Sequence, residues 1–411
     1  MPEAFLPRLS PRAQRAARAA SAVLSRLALV VAALELVWVI AANLALKTSI
    51  LEGAFNSSPD VRIEYRSASS PWPGRVHVQG LRVRMEDYNV QFLLTIEDAR
   101  VDLSLLELTQ RTFHALWVEA EGVSFKMRHK VHAVENARRL AAYPKIEGFA
   151  DPPLYRGSKP PPIPDSDYDL WQIHIENVVA GVDELWFLEY RYRGPGQARG
   201  SFLLRPARSF ELSPSELSLS GGRLTVADRP VAEQVHGKLT AEVERFDVQK
   251  VSGMKPLDNV TANVAITAEG GDLSFLDVYL EPDAGLRAKG PVRLELITEL
   301  EKGVIQPPTR LAVTAEAAEV RGKRAAFSGD LEAVLSAPEG SEQLALDARS
   351  ARIQGLADEK DVPGPTLETV SLALRLTQRR LSQPMRIAAS SVDVHRGRAP
   401  ALAWFERWLE P

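Results

Sequence analysis

The 411-residue chain contains no cysteine, and neither sign of charge is in large excess. The missing thiols exclude disulfides, cysteine-based zinc sites, iron–sulfur clusters and thiol nucleophiles. They say little about the compartment, because a cysteine-free chain is safe in oxidising and reducing surroundings alike. With 50 basic and 53 acidic residues the net charge is -3, so no basic field indicates nucleic acid as a partner.

Catalytic motifs are also absent from the sequence. It has no Gly-x-Ser-x-Gly elbow, P-loop or His-Glu-x-x-His motif. The seven histidines are scattered, and the pair His129 and His132 has no nearby acid or cysteine to complete a metal shell. The glycine-rich run at 194–200 lies between two strand-like runs, which favours a hairpin turn over a phosphate cradle. The sequence therefore favours a non-catalytic protein without cofactor or metal.

One long apolar run is present, LALVVAALELVWVIAANLAL at 27–46. Twenty helical residues span about 30 Å, the thickness of the hydrocarbon core of a bilayer. The preceding arm, residues 1–26, carries five arginines against one acid, which favours a cytoplasmic N-terminus and an exported body. We expect a transmembrane helix at 27–48. A cleaved signal peptide and a buried helix of a soluble domain remain alternatives.

Glu35 lies near the middle of this run. An acid inside a membrane is costly unless it is paired or protonated, so it marks a candidate helix–helix contact. The simpler interpretation is a protonated glutamate that an otherwise very apolar helix tolerates.

Beyond the apolar run, the sequence alternates between apolar and polar residues. In RVHVQGLRVRM at 75–85, the alternation slips by one residue at Gly80. Period-two alternation is typical of a half-buried strand, and a glycine at a slip indicates a bulge or bend. Similar runs recur at near-regular intervals, among them Leu273–Leu280 and Met385–Val394. They predict a mostly β body with antiparallel pairing.

Two segments interrupt this texture. Residues 131–143 have helical spacing and stop at Pro144. The proline-rich run 151–165 predicts a stiff linker or loop, with a polyproline docking site as the alternative. This linker would divide a first β region, 49–150, from a second, repetitive one, 166–411.

At the C-terminus, the sequence of residues 401–409 predicts a short helix that either caps the last sheet edge or touches a membrane interface.

The first part of the chain resembles the AsmA/TamB-like proteins, which are anchored in the inner membrane of Gram-negative bacteria. The resemblance covers residues 27 to about 128 and includes PGRVHVQGLRV at 73–83, IEDARVDLSLLEL at 96–108 and HALWVEAEGVSF at 114–125. It implies an elongated antiparallel sheet in the periplasm, forming a repeating β-groove with an apolar concave face. It also implies a role in moving phospholipid between the two membranes or in outer-membrane assembly.

The sequence is therefore compatible with two main functions. In the first, phospholipid or another acyl lipid slides passively along an apolar groove, and alternation selects seven candidate groove residues: Val76, Val78, Leu81, Val83, Val101, Leu103 and Leu105. In the second, an anchored β-sandwich serves as a scaffold for other envelope proteins. Alternation is the same in an open groove and a closed sandwich, so the sequence does not separate them. An anchored enzyme is a third, weaker alternative.

Overall fold

The computed structural model describes residues 29–48, 61–155 and 171–398, with gaps at 31, 32, 34, 87, 133–139, 206, 207, 249, 252, 253, 323–325 and 356–364. The predicted N-terminal arm and C-terminal helix lie outside this part of the chain, as does most of the predicted helix at 131–143. The described strands are β1 Val61–Glu64, β2 Ser67–Trp72, β3 Arg75–Glu86, β4 Val90–Leu103, β5 Thr112–His129, β6 Gln172–Phe187, β7 Tyr190–Arg205, β8 Ser209–Ser220, β9 Arg223–Val226, β10 Arg229–Ala232, β11 Gln234–Asp247, β12 Val260–Asp272, β13 Arg287–Lys289, β14 Pro291–Glu301, β15 Val304–Arg321, β16 Ala326–Ser336, β17 Leu344–Gly355, β18 Thr366–Leu376 and β19 Ile387–Arg398.

Helices are few in the described ranges. Residues 35–47 are helical. Short α-helices span Leu105–Leu108 and Asp277–Ala284, and 3₁₀ turns span Lys255–Asn259 and Leu273–Leu276. The mostly β fold expected from the alternation is confirmed.

All the described strands belong to one sheet. The short strands β1 and β2 both pair with β3. From there the ladder runs through β4, β5, β6 and β7. It continues through β8, β11, β12 and β14, and then through β15 to β19 in chain order. The remaining short strands extend these rows: β9 pairs with β7 and β10, and β13 pairs with β15. Neighbours in sequence are therefore mostly neighbours in space, as in a meander.

One pairing departs from the expected antiparallel order, because β5 and β6 are parallel. Parallel neighbours need a crossover that returns the chain to its starting end, and residues 130–171 provide it. The boundary predicted at 151–165 falls within this crossover, and 156–170 lie outside the described residues. The strands on either side of it are adjacent in the same sheet, which is mixed rather than purely antiparallel.

Arg128, at the end of β5, fastens the crossover to the sheet. Its side chain is fully buried and donates to Gln91 Oε1, to the carbonyl oxygens of Pro144 and Ala150, and to Asp151 Oδ1, at 2.9–3.0 Å. Burial lowers the pKa of Arg128, although the Asp151 carboxylate opposes the shift. A buried guanidinium needs such a set of acceptors to offset its lost hydration.

The phase slip predicted at Gly80 is present. Gly80 has φ +64°, and Gly122 on β5 has φ +66°. A Cβ at Gly122 would lie only 2.4 Å from Cγ of Glu97 on β4. Left-handed backbone at these positions reverses the alternation, so apolar residues on both sides of the slip share one face. The cluster that joins Ala120 and Val123 shows this directly.

Two local predictions are wrong. Leu273–Leu280 is not a strand, because Asp272 caps a 3₁₀ turn by accepting from the amide of Ser274 at 2.8 Å, and a helix follows. The side chain of Asp272 also accepts from the amide of Gly290 at 3.0 Å, a contact that no local sequence pattern reveals. The glycine-rich run at 194–200 is not a hairpin turn but the middle of β7, where the partner strand changes from β9 to β8. Gly194 is needed there because its Cβ would meet Gly222 Cα at 2.5 Å.

The helix at 35–47 packs on the first edge of the sheet. The side-chain amide of Asn43 accepts from the amide of Ser70 on β2 and donates to its carbonyl oxygen, both at 3.0 Å. Tyr65 donates to the carbonyl of Leu46 at 2.7 Å, and Trp38 Nε1 donates to Ser70 Oγ at 3.3 Å. The two Asn43 bonds satisfy the backbone amide and carbonyl of Ser70 on this edge strand. Within the described ranges, no helix combines the length and apolar character that crossing a membrane requires.

Candidate functional site: the apolar face of the sheet

The apolar face is continuous from strand to strand. Residues paired across a ladder point to the same side of a sheet, so a line of partners can be followed through the registers. One such line, called here the apolar row, contains only Val, Leu, Ile and Gly across eleven successive strands: Val123, Val182, Gly196, Leu219, Gly237, Ile266, Leu296, Leu311, Leu335, Leu346 and Leu374. It ends at Ser390 on β19.

The residues of the apolar row on β12 to β18 are half-buried, while the two ends of the same face are covered. Near one end, Val292 and Ala315 are buried beneath Leu273 and Phe275. Near the other, Leu300, Ile305 and Leu344 are buried together. There the connection between β18 and β19 folds back, and the amide of Leu381 donates to the carbonyl of Gly303 at 2.9 Å. The apolar row therefore runs between two regions in which other segments of the chain cover the same face.

The buried clusters show how this face is packed. In the cluster of Ala120, Val123, Ala180 and Val182, which lie on β5 and β6, the surrounding residues come from β4, β6, β7 and β8, so the cluster extends over five neighbouring strands. The cluster around Tyr192, Val235 and Ala268 is built in the same way. Within the described ranges, these two clusters are lateral contacts along one face.

The opposite face is polar. Here a line of partners runs through His77, Arg100, Glu119, Val179, Arg199, Glu216, Thr240, Asn263, Glu299 and Gln306, with one apolar residue in ten strands. We call this line the polar row. Ion pairs cross between strands on this face, such as Lys238–Glu216 at 2.7 Å and Arg349–Glu332 at 2.7 Å.

The seven candidate groove residues lie at the start of the sheet and are all half-buried. Val76, Val78, Leu81 and Val83 are on β3, Val101 and Leu103 on β4, and Leu105 begins the short helix after β4. Val76 pairs with Val101, which places these two on one face. Leu81 pairs with Ile96, which packs in the cluster with Ala120 and Val123. The candidates thus adjoin the apolar row, while the row itself lies on strands that the sequence reasoning did not single out.

The N-terminal helix has two different sides. Leu29, Val30, Leu36, Val37, Ile40 and Leu44 form a stripe with 56–71% of each residue exposed. The other side carries Trp38 and Asn43, which contact β2. Glu35 is half-buried and precedes Asn43 by eight residues, so it belongs to the side that faces the sheet rather than to the exposed stripe.

The structure brings together one group of residues that the sequence reasoning missed. His114 on β5 pairs in register with His174 on β6, and Glu176 lies two residues further along β6. Only the parallel pairing across the crossover makes them neighbours, so no local pattern could have found them. The pair His129 and His132 is instead used in ring contacts with Tyr143 and Tyr155, respectively.

No protein-family model matches this chain, and the searches of curated proteins and of solved structures found nothing similar to it.

Proposed function

We propose that this protein is an inner-membrane-anchored envelope protein that handles phospholipid or another acyl lipid on the apolar face of its sheet, without catalysis. The main observation behind the proposal is the apolar row, which has Val, Leu, Ile or Gly on eleven successive strands and is half-buried on β12 to β18. The same function is implied by the resemblance of residues 27–128 to the AsmA/TamB-like proteins.

Burial of acyl chains supplies the driving force in this proposal. Each methylene transferred from water to an apolar surface contributes about 0.8 kcal/mol. Because the row contains no polar side chain on these eleven strands, a tail could shift from one strand to the next without crossing a polar residue. The polar row on the opposite face stays hydrated and keeps the sheet soluble.

The N-terminal helix supports the membrane part of the proposal. Its exposed apolar stripe calls for an apolar environment, and the arginine-rich arm before it favours a cytoplasmic N-terminus. In the proposed arrangement the helix is single-pass and the sheet is periplasmic. Asn43 holds β2 against the second half of the helix, so the first strands would lie against the membrane, where lipid enters.

Site-specific photocrosslinking in cells tests the proposal on the full chain. A photoreactive residue is placed at Leu296, Leu311 or Leu346 on the apolar row, with Thr240, Asn263 and Glu299 on the polar row as matched controls. We expect phospholipid adducts, detected by mass spectrometry of the purified protein, at the first set only. Equal labelling of both rows, or no lipid adduct at the apolar positions, would contradict the proposal.

A scaffold function is the second candidate, and strand β19 favours it. This strand is exposed along its whole length, including Ile387, Val392 and Val394, and an exposed apolar edge can pair with another protein. Photoreactive residues at Val392 separate the two functions. Protein adducts there, without lipid adducts on the apolar row, would favour the scaffold.

A further inference from the structure

The cluster of His114, His174 and Glu176 lies on the polar face of the sheet, at the point where the parallel pair begins. Ala115 and Ile175, which flank the two histidines, pair with each other and lie on the other face. His114 Nε2 is 2.9 Å from Glu176 Oε1, and the two imidazole rings are stacked with centroids 4.4 Å apart. One ligand atom from each of the three side chains can be chosen so that all lie within 4.8 Å of one another.

A fourth side chain, Glu107, approaches the cluster from the short helix after β4. Its Oε1 lies 2.7 Å from Nδ1 of His114. Nδ1 is buried, and within the described part of the chain no hydrogen bond of acceptable geometry satisfies it. Metal-binding histidines commonly turn one ring nitrogen toward a carboxylate and give the other to the metal. This arrangement leaves Nε2 of His114, on the Glu176 side, as the atom that would bind a metal ion.

We propose that His114, His174 and Glu176 bind a divalent transition-metal ion such as Zn²⁺, with Glu107 orienting the His114 ring. Two imidazoles and one carboxylate are ligands that zinc prefers, and they leave a fourth position for water or another ligand. His114 is nearly buried, whereas Glu176 is about 42% exposed, so an ion can enter from the solvent side.

The site also has a structural consequence. Glu107 and His114 precede the crossover and His174 and Glu176 follow it, and His114 and Glu176 are 62 positions apart in the sequence. A bound ion would cross-link β5 and β6 at the one parallel pairing of the described sheet, and Glu107 would connect the helix after β4 to the site through His114. Metal should therefore stabilise the folded chain, since it binds a set of ligands that the unfolded chain does not hold together.

Co²⁺ titration of the purified full chain, first treated with a chelator, tests the proposal. We expect one equivalent to bind, with the visible absorption of low-coordinate Co²⁺, and Zn²⁺ to displace it. His174→Ala and Glu176→Gln should each weaken Co²⁺ binding at least about 100-fold, because each removes a ligand. Glu107→Gln should weaken it about 10- to 100-fold, as loss of an outer-shell carboxylate does. His236→Ala, on an exposed histidine of β11, is the control and should bind like wild type.

Thermal unfolding provides the second measurement. Zn²⁺ should raise the Tm of wild type but not that of the doubly substituted His174→Ala, Glu176→Gln chain, whose metal-free Tm reports whether it folds. If that double variant does not fold, the comparison is made with Glu176→Gln alone. Because the Glu176 side chain is partly exposed, this single substitution should leave the fold intact. Absence of saturable Co²⁺ binding to wild type, or unchanged affinity in Glu176→Gln and His174→Ala, would overturn the proposal.

Discussion

The two faces of the sheet are built by the same strands and registers, yet they are held together differently. On the apolar face, side chains pack laterally into clusters such as the one around Leu300, Ile305 and Leu344. On the polar face, neighbouring strands are joined by ion pairs, most of them exposed. Apolar burial contributes far more per residue than exposed ion pairs do. We therefore expect stability to reside in the apolar face, while the polar face contributes solubility.

One cluster on the polar face differs from these exposed pairs. Glu184 on β6 is only 11% exposed and lies between Arg193 at 2.9 Å, Lys126 at 3.4 Å and Ser124, which donates to it at 3.0 Å. The guanidinium of Arg191 also lies over the ring of Trp186, 4.0 Å from its centroid. Here charges are taken out of water and must be compensated, so this cluster should behave more like a core than like the rest of its face.

The largest contrast between the faces should come from removing an aliphatic side chain. Leu344→Ala empties a site that is 1% exposed and should lower the free energy of unfolding by about 2–5 kcal/mol. Ile297→Ala, on the polar face and 44% exposed, should lower it by less than about 1 kcal/mol. Urea unfolding of the full chain in detergent, followed by tryptophan fluorescence, compares the two. Equal losses would mean that both faces are similarly buried.

Glu184→Gln should have an intermediate effect that depends on pH. Burial raises the pKa of Glu184, but Arg193, Lys126 and Ser124 outweigh it, so the pKa lies below its usual value of 4.5. The ionised form therefore stabilises the fold above the unfolded-state pKa, and this contribution is lost as pH falls through the lower folded-state pKa. At pH 7 we expect the variant to lose about 1–3 kcal/mol.

The check is the pH dependence of the difference between the two proteins. The free energy lost by Glu184→Gln should shrink as pH falls below about 4.5, because protonated glutamate resembles glutamine. Glu342→Gln, at a site where the side chain is exposed, is the matched control. A difference that is independent of pH would show that Glu184 acts through packing alone.

The smallest effect should come from an exposed ion pair on the polar face. Arg349 and Glu332 lie 2.7 Å apart, but their side chains are 73% and 41% exposed. A double-mutant cycle with Arg349→Ala and Glu332→Ala should give a coupling energy below about 1 kcal/mol that decreases with added salt. A larger coupling energy that does not change with salt would contradict the proposal that this exposed pair contributes less to stability than the buried Glu184 cluster.

Much of the fold could be predicted because alternation is a local property. The slip at Gly80 was visible in the sequence, and the structure places left-handed backbone there. The candidate groove residues share the texture of the apolar row, but alternation gave no reason to prefer them to Leu296 or Leu346. The apolar residues of Leu273–Leu280 fit a strand, but the side chain of Asp272 accepts hydrogen bonds from the amides of Ser274 and Gly290 and the chain turns there instead.

The sequence by itself determined that the strands have one apolar and one polar side, because in a β-strand successive side chains point in opposite directions whatever the partner. It also determined the apolar N-terminal run. Only the tertiary structure decided that β5 pairs parallel with β6, that His174 and Glu176 meet His114, and that Asn43 completes the edge at Ser70. These contacts join segments far apart in the chain, and their free energy depends on the geometry of the whole sheet rather than on any local pattern.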